Sequence, residues 1–394
     1  MKADVAIVGA GPTGCFVGKC LAERGLEVVI VEEHGEVGNP VCCTGIVGAG
    51  GLEELGIKQG KWVLGKLRGA TIYPPSNEPI RLTTRRVEAF IIDRAEFDRS
   101  LATAAARAGA TLLLKRRCLD LSFDDGPVIK MNGKESELKA RVVVGADGPA
   151  SIVARKAGLI KSSKYIKCAQ VETIAEASDG IAEVYFSRSF APGFFSWLVK
   201  AGDVCRVGLG ATEGNPNQML KSFMTEHPVV SRKVGGKTLG ACAGIIPECL
   251  SRKMCSGSVL LVGDAAGQVK PLTGGGIYFG LSCAKLAVEA VGNAIESGEI
   301  KRLQEYESAV MGKFGVDFEL GIRARRLFEQ IPDEDLNILF KLMERDNVKE
   351  IILENFDFDH HEKLVRALML KAPEMLGSIG IKRALKYAKF LAKP

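Results

Sequence analysis

The sequence predicts a mixed α/β chain, α+β overall. It has a parallel-sheet domain built from separated segments, an inserted antiparallel β-rich domain and a helical C-terminal region. Three observations predict it. The apolar run Val5-Ala-Ile-Val8 ends in glycines and is followed by a helical stretch and a second apolar run, the pattern of a βαβ unit. The middle of the chain changes to alternating segments such as Glu183-Val-Tyr-Phe186 and Val204-Cys-Arg-Val-Gly208, the pattern of a half-buried antiparallel sheet. From about Glu299 onward the periodicity is helical, without strand signals.

Each element follows in turn. Val5 to Val8 reads as a buried strand, and a helix runs from Pro12 to about Arg24, where Gly25 stops it. Leu26 to Glu32 is the second strand. Asp93 to Gly109 reads as a helix because Phe97, Leu101 and Ala105 recur at four-residue spacing. Thr111 to Lys115, Arg141 to Gly145 and Ser258 to Gly263 return to the strand pattern, and a helix starts near Gly275. The expected domains are residues 1–72, 93–155 and 241–298 for the parallel-sheet domain, 73–92 and 156–240 for the β-rich insertion, and 299–394 for the helical region.

Composition narrows the class. Among 394 residues, 46% are apolar and 25% charged, the ordinary globular range, and no run approaches the ~18 apolar residues of a membrane span. The N-terminus reads as a strand with Asp4 inside it rather than as a secretory signal. Eleven cysteines include no C-x-x-C pair, so no metal site is expected, and free thiols in a reducing cytoplasm are. The net charge is +6, but Lys382, Arg383, Lys386, Lys389 and Lys393 concentrate it in an acid-free tail. That distribution argues against a nucleic-acid groove and for a basic amphipathic surface helix, either on an anionic membrane or docked on the body.

Two motifs carry chemistry. Gly9-Ala-Gly11-Pro12-Thr13-Gly14 lies between the first strand and its helix. Its glycines allow a tight turn and close approach to a pyrophosphate at a helix N-terminus, the Rossmann-like arrangement. Glu32, 21 residues after Gly11, ends the second strand, where an acid reaches a ribose hydroxyl. The second motif is Leu260-Leu-Val-Gly263-Asp264-Ala-Ala, followed by Pro271-Leu-Thr-Gly274-Gly275-Gly276-Ile277. It places a carboxylate at a strand end, able to accept from a polyol, and then exposed N–H groups at a helix start, suited to a developing negative charge.

These elements resemble the p-hydroxybenzoate hydroxylase-like FAD-binding class, which includes flavin halogenases and geranylgeranyl reductases. The resemblance implies FAD as cofactor, with Gly9, Gly11, Pro12, Thr13 and Gly14 at its pyrophosphate, Glu32 at the adenosine ribose and Asp264 at the ribityl chain. It implies Gly275, Gly276 and Ile277 at the flavin pyrimidine edge, and Arg94 of Asp93-Arg94-Ala-Glu-Phe97-Asp98 near the cofactor. Val144-Gly-Ala-Asp147-Gly148 matches the middle motif of the class, and Cys118 the backbone position that meets adenine. Two further segments narrow the family. Gly38-Asn-Pro40-Val-Cys42-Cys43-Thr44-Gly45 and Ala191-Pro-Gly-Phe-Phe-Ser-Trp197 are similar to loops of archaeal geranylgeranyl reductases, of the digeranylgeranylglycerophospholipid reductase type. Thr44, Phe195 and Val199-Lys200 depart from that pattern.

The family resemblance implies an oxidoreductase of lipid biosynthesis. It saturates isolated double bonds of geranylgeranyl chains in archaeal ether phospholipids by hydride transfer from FADH2. An unactivated alkene needs a dry apolar slot against the flavin. The β-rich segment offers Tyr185, Phe186, Phe190, Phe194, Phe195 and Trp197 as its walls. The resemblance implies that Cys43, Thr44 and Ile46 contact the cofactor and makes Cys43 the candidate catalytic side chain, although Cys42 competes for that position. The partners expected are a prenylated lipid, an external electron donor (ferredoxin or NAD(P)H) and a peripheral membrane surface, with no nucleic acid. Rival readings are an FAD-dependent aromatic monooxygenase or halogenase, an electron-transfer flavoprotein, and a prenyl-binding escort protein. The four histidines form no hydrolytic arrangement.

Overall fold

The structure, a computed structural model, describes residues 1–123, 126–159, 164–248, 250, 251, 253–377 and 387. The chain divides into two compact units. The first is Met1–Val41, Asp93–Lys164 and Ile246–Gly315, and the second is Cys42–Ile92, Tyr165–Ile245 and Val316–Pro394.

The first unit is built on an eight-stranded sheet. Its path runs Cys255–Ser256, Val259–Leu261, Glu137–Gly145, Lys2–Val8, Val28–Val31, Thr111–Leu113. The last five of these are mutually parallel, with Val5 facing Val28 on one side and Val142 on the other. Their central residues Val5, Ala6, Ile7, Val28, Ile30, Val142, Val143 and Val144 are buried, as parallel strands covered on both faces require. An antiparallel extension, Cys118–Ser122 with Val128–Met131, joins Glu137–Gly145. Helices Pro12–Glu23, Arg94–Arg107 and Ile277–Ser297 pack together in this unit. Gly18 allows the first to lie on Ile7 and Ile30, since a Cβ there would stand 2.6 Å from the Ile30 Cδ1. Asp93 caps the second by accepting the Glu96 N–H at 3.0 Å.

The order of the parallel strands positions a site. From Lys2–Val8 the chain moves outward through Val28–Val31 to Thr111–Leu113, then returns to the other side through Glu137–Gly145 and Val259–Leu261. The direction reverses beside the first strand, and loops at the carboxyl ends of strands diverge there to form a crevice.

The second unit holds a seven-stranded sheet in the order Val234–Pro247, Tyr165–Ala175, Val204–Ala211, Ser196–Ala201, Ile181–Tyr185, Gly69–Tyr73, Ile80–Thr83. The pairings are antiparallel from Tyr165–Ala175 to Ile181–Tyr185, and Ile181–Tyr185 runs parallel to Gly69–Tyr73. A separate three-stranded sheet pairs Ala89–Ile92 with Ile46–Gly48 and Val63–Leu67. Helix Pro216–Glu226 covers one core with Leu220 and Phe223 against Tyr185, Leu198, Val207 and Leu209. Helices Asp333–Met343, Asp346–Asn355 and Glu362–Gly377 follow, and helix Glu305–Gln330 contributes its part from Val316.

The unit boundaries differ from those expected. Residues 42–72 fall in the second unit, because Ile46–Gly48 and Val63–Leu67 pair with Ala89–Ile92, and Gly69–Tyr73 joins the large sheet. The C-terminal helices from Val316 join that unit as well, where Phe328 and Phe340 pack on Phe186. The basic tail residues Lys382, Arg383, Lys386, Lys389 and Lys393 lie outside the described residues.

Candidate functional site

In the first unit three loops meet at the carboxyl ends of the parallel strands. Gly9 turns with φ +101, and a Cβ on it would lie 2.3 Å from the Ala146 carbonyl oxygen. A Cβ on Gly14 would lie 2.0 Å from the Gly9 carbonyl oxygen. No side chain can be added at either place without moving backbone. Gly11 is the opposite case: nothing stands within 4 Å of where its Cβ would be, so this side of the loop is open. Gly11 also caps helix Pro12–Glu23 without any side-chain hydrogen bond, which leaves the first-turn N–H groups facing the open side. Pro12 takes the first helical position, where its missing N–H costs nothing. The Thr13 hydroxyl packs against Gly263, whose Cβ would be 3.0 Å from it.

Glu32 is held at this loop. Its Oε2 accepts the Ala10 N–H at 2.8 Å, and its Oε1 accepts the His34 N–H at 2.9 Å and faces His34 Nδ1 at 2.7 Å. Asp147 accepts from Ser151 Oγ and from the Ile152 and Val153 N–H groups, so it fastens the start of the short helix Ile152–Lys156, whose cap is Ser151.

Asp264 sits in the 3-10 turn Gly263–Ala266 after strand Val259–Leu261. Burial pushes its carboxyl above the usual carboxylate range, and the Arg94 charge only partly offsets this. Gly276 makes room for this carboxylate, since a Cβ there would stand 2.7 Å from Asp264 Oδ1. Helix Ile277–Ser297 starts at Ile277, two residues later than the sequence predicts, because Gly274 and Gly275 turn back onto Lys270. Arg94 grips Asp98 with two hydrogen bonds, Nε to Oδ1 at 3.0 Å and Nη2 to Oδ2 at 2.9 Å. Cys118 is buried, its thiol pushed up to about 12 chiefly by burial, so only its backbone is suited to a ligand.

In the second unit the Cys43 loop is fastened at several points. The Cys43 Sγ accepts the Gly45 N–H at 3.3 Å, and the Cys43 carbonyl accepts from Gln170 Nε2 at 3.2 Å. Arg206 Nη1 donates to the Thr44 carbonyl at 2.8 Å, and Ile46 begins strand Ile46–Gly48. Cys42 is bonded to Cys242. This corrects the expectation of free thiols throughout, and it leaves Cys43 as the thiol of the pair. Sequence spacing has no access to a bond across 200 residues.

Gln170, which no motif singled out, is the hinge of this region. Its Oε1 accepts the Trp197 indole N–H at 3.1 Å while its amide holds the Cys43 carbonyl. From Trp197 the rings continue to Phe195 at 6.0 Å, Phe186 at 6.0 Å, then Phe340 at 5.0 Å and Phe328 at 5.5 Å. Phe195 also stacks on Phe194 at 4.1 Å, behind which the Arg325 guanidinium lies 4.9 Å from the ring centroid. Phe186, Phe195 and Trp197 are half-buried, whereas Phe194 is buried. Tyr185 does not line this array as a wall. It is 1% exposed, stacks on Tyr73 and spends its hydroxyl on Glu183, which also accepts from Lys233. Alternation explains this: Tyr185 and Phe186 point to opposite faces of the strand. Phe190 packs against Phe223 and His227 on the Tyr185 side.

Residues 2–182 match the FAD binding domain family. The chain is 30% identical to the digeranylgeranylglycerophospholipid reductase 2 of Methanopyrus kandleri over 412 residues, covering 100% of both chains. It is 33% identical to the digeranylgeranylglycerophospholipid reductase of Methanosarcina acetivorans, covering 92% of this chain and 93% of that one. The chain belongs to the digeranylgeranylglycerophospholipid reductase family. A geranylgeranyl bacteriochlorophyll reductase-like protein from Thermoplasma acidophilum has the same fold, with a TM-score of 0.85 and 26% identity over 96% of this chain and 98% of that one.

Membership of the digeranylgeranylglycerophospholipid reductase family and the match to the FAD binding domain make this an FAD-dependent oxidoreductase. The first unit fits that cofactor on its own geometry. It presents an open glycine loop at an uncapped helix N-terminus, an oriented carboxylate in Glu32, and in Asp264 a carboxylate set in the turn after a buried strand with the Arg94 charge near it.

Proposed function

We propose that this chain reduces isolated carbon–carbon double bonds in the geranylgeranyl chains of archaeal ether phospholipids. The observation that carries the reading is the full-length likeness to reductases of that name, joined to a site whose parts suit the chemistry. The Gly9–Gly14 loop with Pro12 and Thr13 holds the FAD pyrophosphate, Glu32 the adenosine ribose and Asp264 the ribityl hydroxyls. Arg94, the Cys118 backbone, Gly275, Gly276 and Ile277 complete the cofactor contacts of the first unit, and the family resemblance adds Cys43, Thr44 and Ile46 to them. When bound and reduced, FAD supplies the hydride. The half-buried rings of Phe186, Phe195 and Trp197 exclude water and hold an apolar chain. Phe194 supports them from behind. Cys43 keeps a thiol at the reacting end and tunes the reduction.

An external donor restores the cofactor, a ferredoxin-type carrier or NAD(P)H, because the sequence carries one dinucleotide loop only. A lipid substrate also favours action at a membrane surface. Among the described residues no helix is long and apolar enough to cross a membrane.

The test is anaerobic. The flavoprotein is reduced with dithionite, mixed with a geranylgeranyl lipid, and followed by flavin absorbance and lipid mass spectrometry. Reoxidation with a gain of two mass units per saturated bond is expected. A reduced flavin that leaves the lipid unchanged and reoxidises only with oxygen turns the reading toward a monooxygenase or halogenase.

A further inference from the structure

The disulfide Cys42–Cys242 lies in the second unit and joins a loop to a strand. Its Cα atoms are 5.4 Å apart, a span a disulfide bridges without backbone movement. Cys242 belongs to Val234–Pro247, the edge strand of the seven-stranded sheet. Cys42 opens the loop that carries Cys43. Besides the bond, residues 42–44 take hydrogen bonds from Gln170, Arg206 and the Gly45 N–H.

The bond is reachable. Cys42 is exposed and Cys242 half-exposed, and Cys242 lines an open groove of about 800 Å³ together with Gln170, Leu220, Met224 and Val234. Cys15, Cys118, Cys168, Cys205 and Cys283 are buried thiols, and Cys20, Cys43 and Cys255 are half-exposed like Cys242, so Cys42 is the most open of these sulfurs. Exposed disulfides are the ones that exchange.

We propose that Cys42–Cys242 is a thiol–disulfide exchange site at which a dithiol reductant opens the bond and releases the loop presenting Cys43. A thiolate of the reductant attacks the exposed Cys42 sulfur, the bond to Cys242 breaks, and the Cys242 thiolate takes up a proton. The second thiol of the reductant then displaces Cys42 from the mixed disulfide. The reductant is oxidised by two electrons to a disulfide, and Cys42 and Cys242 are reduced to thiols. With the bond closed, Cys43 is pinned between Gln170 and Gly45. With it open, the loop keeps hydrogen bonds only. This device does not depend on which alkene the enzyme reduces.

Alkylation tests it without reference to activity. The full-length protein is equilibrated at set ratios of reduced to oxidised dithiothreitol, pulsed with iodoacetamide, and mapped by mass spectrometry. In the oxidised sample Cys42 and Cys242 remain blocked. In the reduced sample both take label, and Cys43 labels about tenfold faster, as expected when a covalent restraint on local opening is lost. Cys242→Ser gives the fast Cys43 rate under oxidising conditions too. Labelling of Cys42 and Cys242 that ignores the redox ratio overturns the proposal. So does a Cys43 rate that is equal in oxidised and reduced protein, or a Cys242→Ser protein as slow as the oxidised parent.

Discussion

Asp264 shows how one residue trades stability for binding. Its carboxyl is raised by burial against the partial compensation of Arg94. A carboxyl raised on folding is best tolerated protonated, so its contribution is most favourable below the ordinary carboxylate value and is lost as pH rises through the folded value. Asp264→Asn, which never ionises, is expected to raise the thermal midpoint of the apoprotein at neutral pH, with the difference closing below about pH 4. Asp264→Ala is expected to weaken FAD retention about 10- to 100-fold, the loss of a charged acceptor worth about 1.5–3 kcal/mol. Thermal scans of apoprotein and the flavin-to-protein ratio after desalting check both. His227 obeys the opposite sign. It is 3% exposed, its Nδ1 accepts from the Val229 and Val230 N–H groups, and burial lowers its pKa to about 4. Its neutral form is therefore part of the fold: stability is full above about pH 6.5 and falls by up to roughly 3 kcal/mol as pH drops toward 4. His227→Asn keeps an acceptor without the titration. Urea unfolding across that range is expected to show a shallower pH dependence in the variant.

At the scale of elements, the glycine loop is dictated by backbone meeting backbone. A methyl group on Gly14 has no place beside the Gly9 carbonyl, so the loop or the helix has to move. Gly14→Ala is expected to cost about 1–3 kcal/mol in urea unfolding and to release FAD, whereas Gly11→Ala, whose methyl meets open space, retains near-parental apoprotein stability. Comparing the two variants separates packing from binding. This loop was legible in the sequence because its strand, glycines and helix are contiguous. The three-stranded sheet of Ile46–Gly48, Ala89–Ile92 and Val63–Leu67 was not, because each strand is only three to five residues long and pairing spans some forty residues of chain. The aromatic positions were half legible. Residue type marked Phe186, Phe195 and Trp197, but only the strand's facing separates Phe186 from Tyr185, and no signal in the sequence marks Gln170 as the link between Trp197 and Cys43.

At the scale of the whole molecule, each unit is assembled from three separated stretches of chain. The helices after Gly315 are therefore not an appendix. Arg325 donates to the Gly193 carbonyl at 2.8 Å, and Phe328 and Phe340 cover Phe186. A chain ending at Gly315 is expected to lose the cooperative unfolding transition of the second unit, read from Trp62 and Trp197 fluorescence. A truncated protein with parental Trp emission and an unchanged transition would show the helices to be dispensable. By itself the sequence determined what is local: the strand, glycine loop and helix that hold a dinucleotide, the Gly263-Asp264 turn, and the family likeness that rests on contiguous motifs. Those features persist because the hydrogen bonds and periodicities that build them span a few residues. The tertiary structure decided what depends on distant stretches meeting: the unit boundaries, the Cys42–Cys242 bond, the burial of Tyr185 and the exposure of Cys42. Burial and pairing at such separations follow from which faces the packed core covers, a property of the folded chain as a whole.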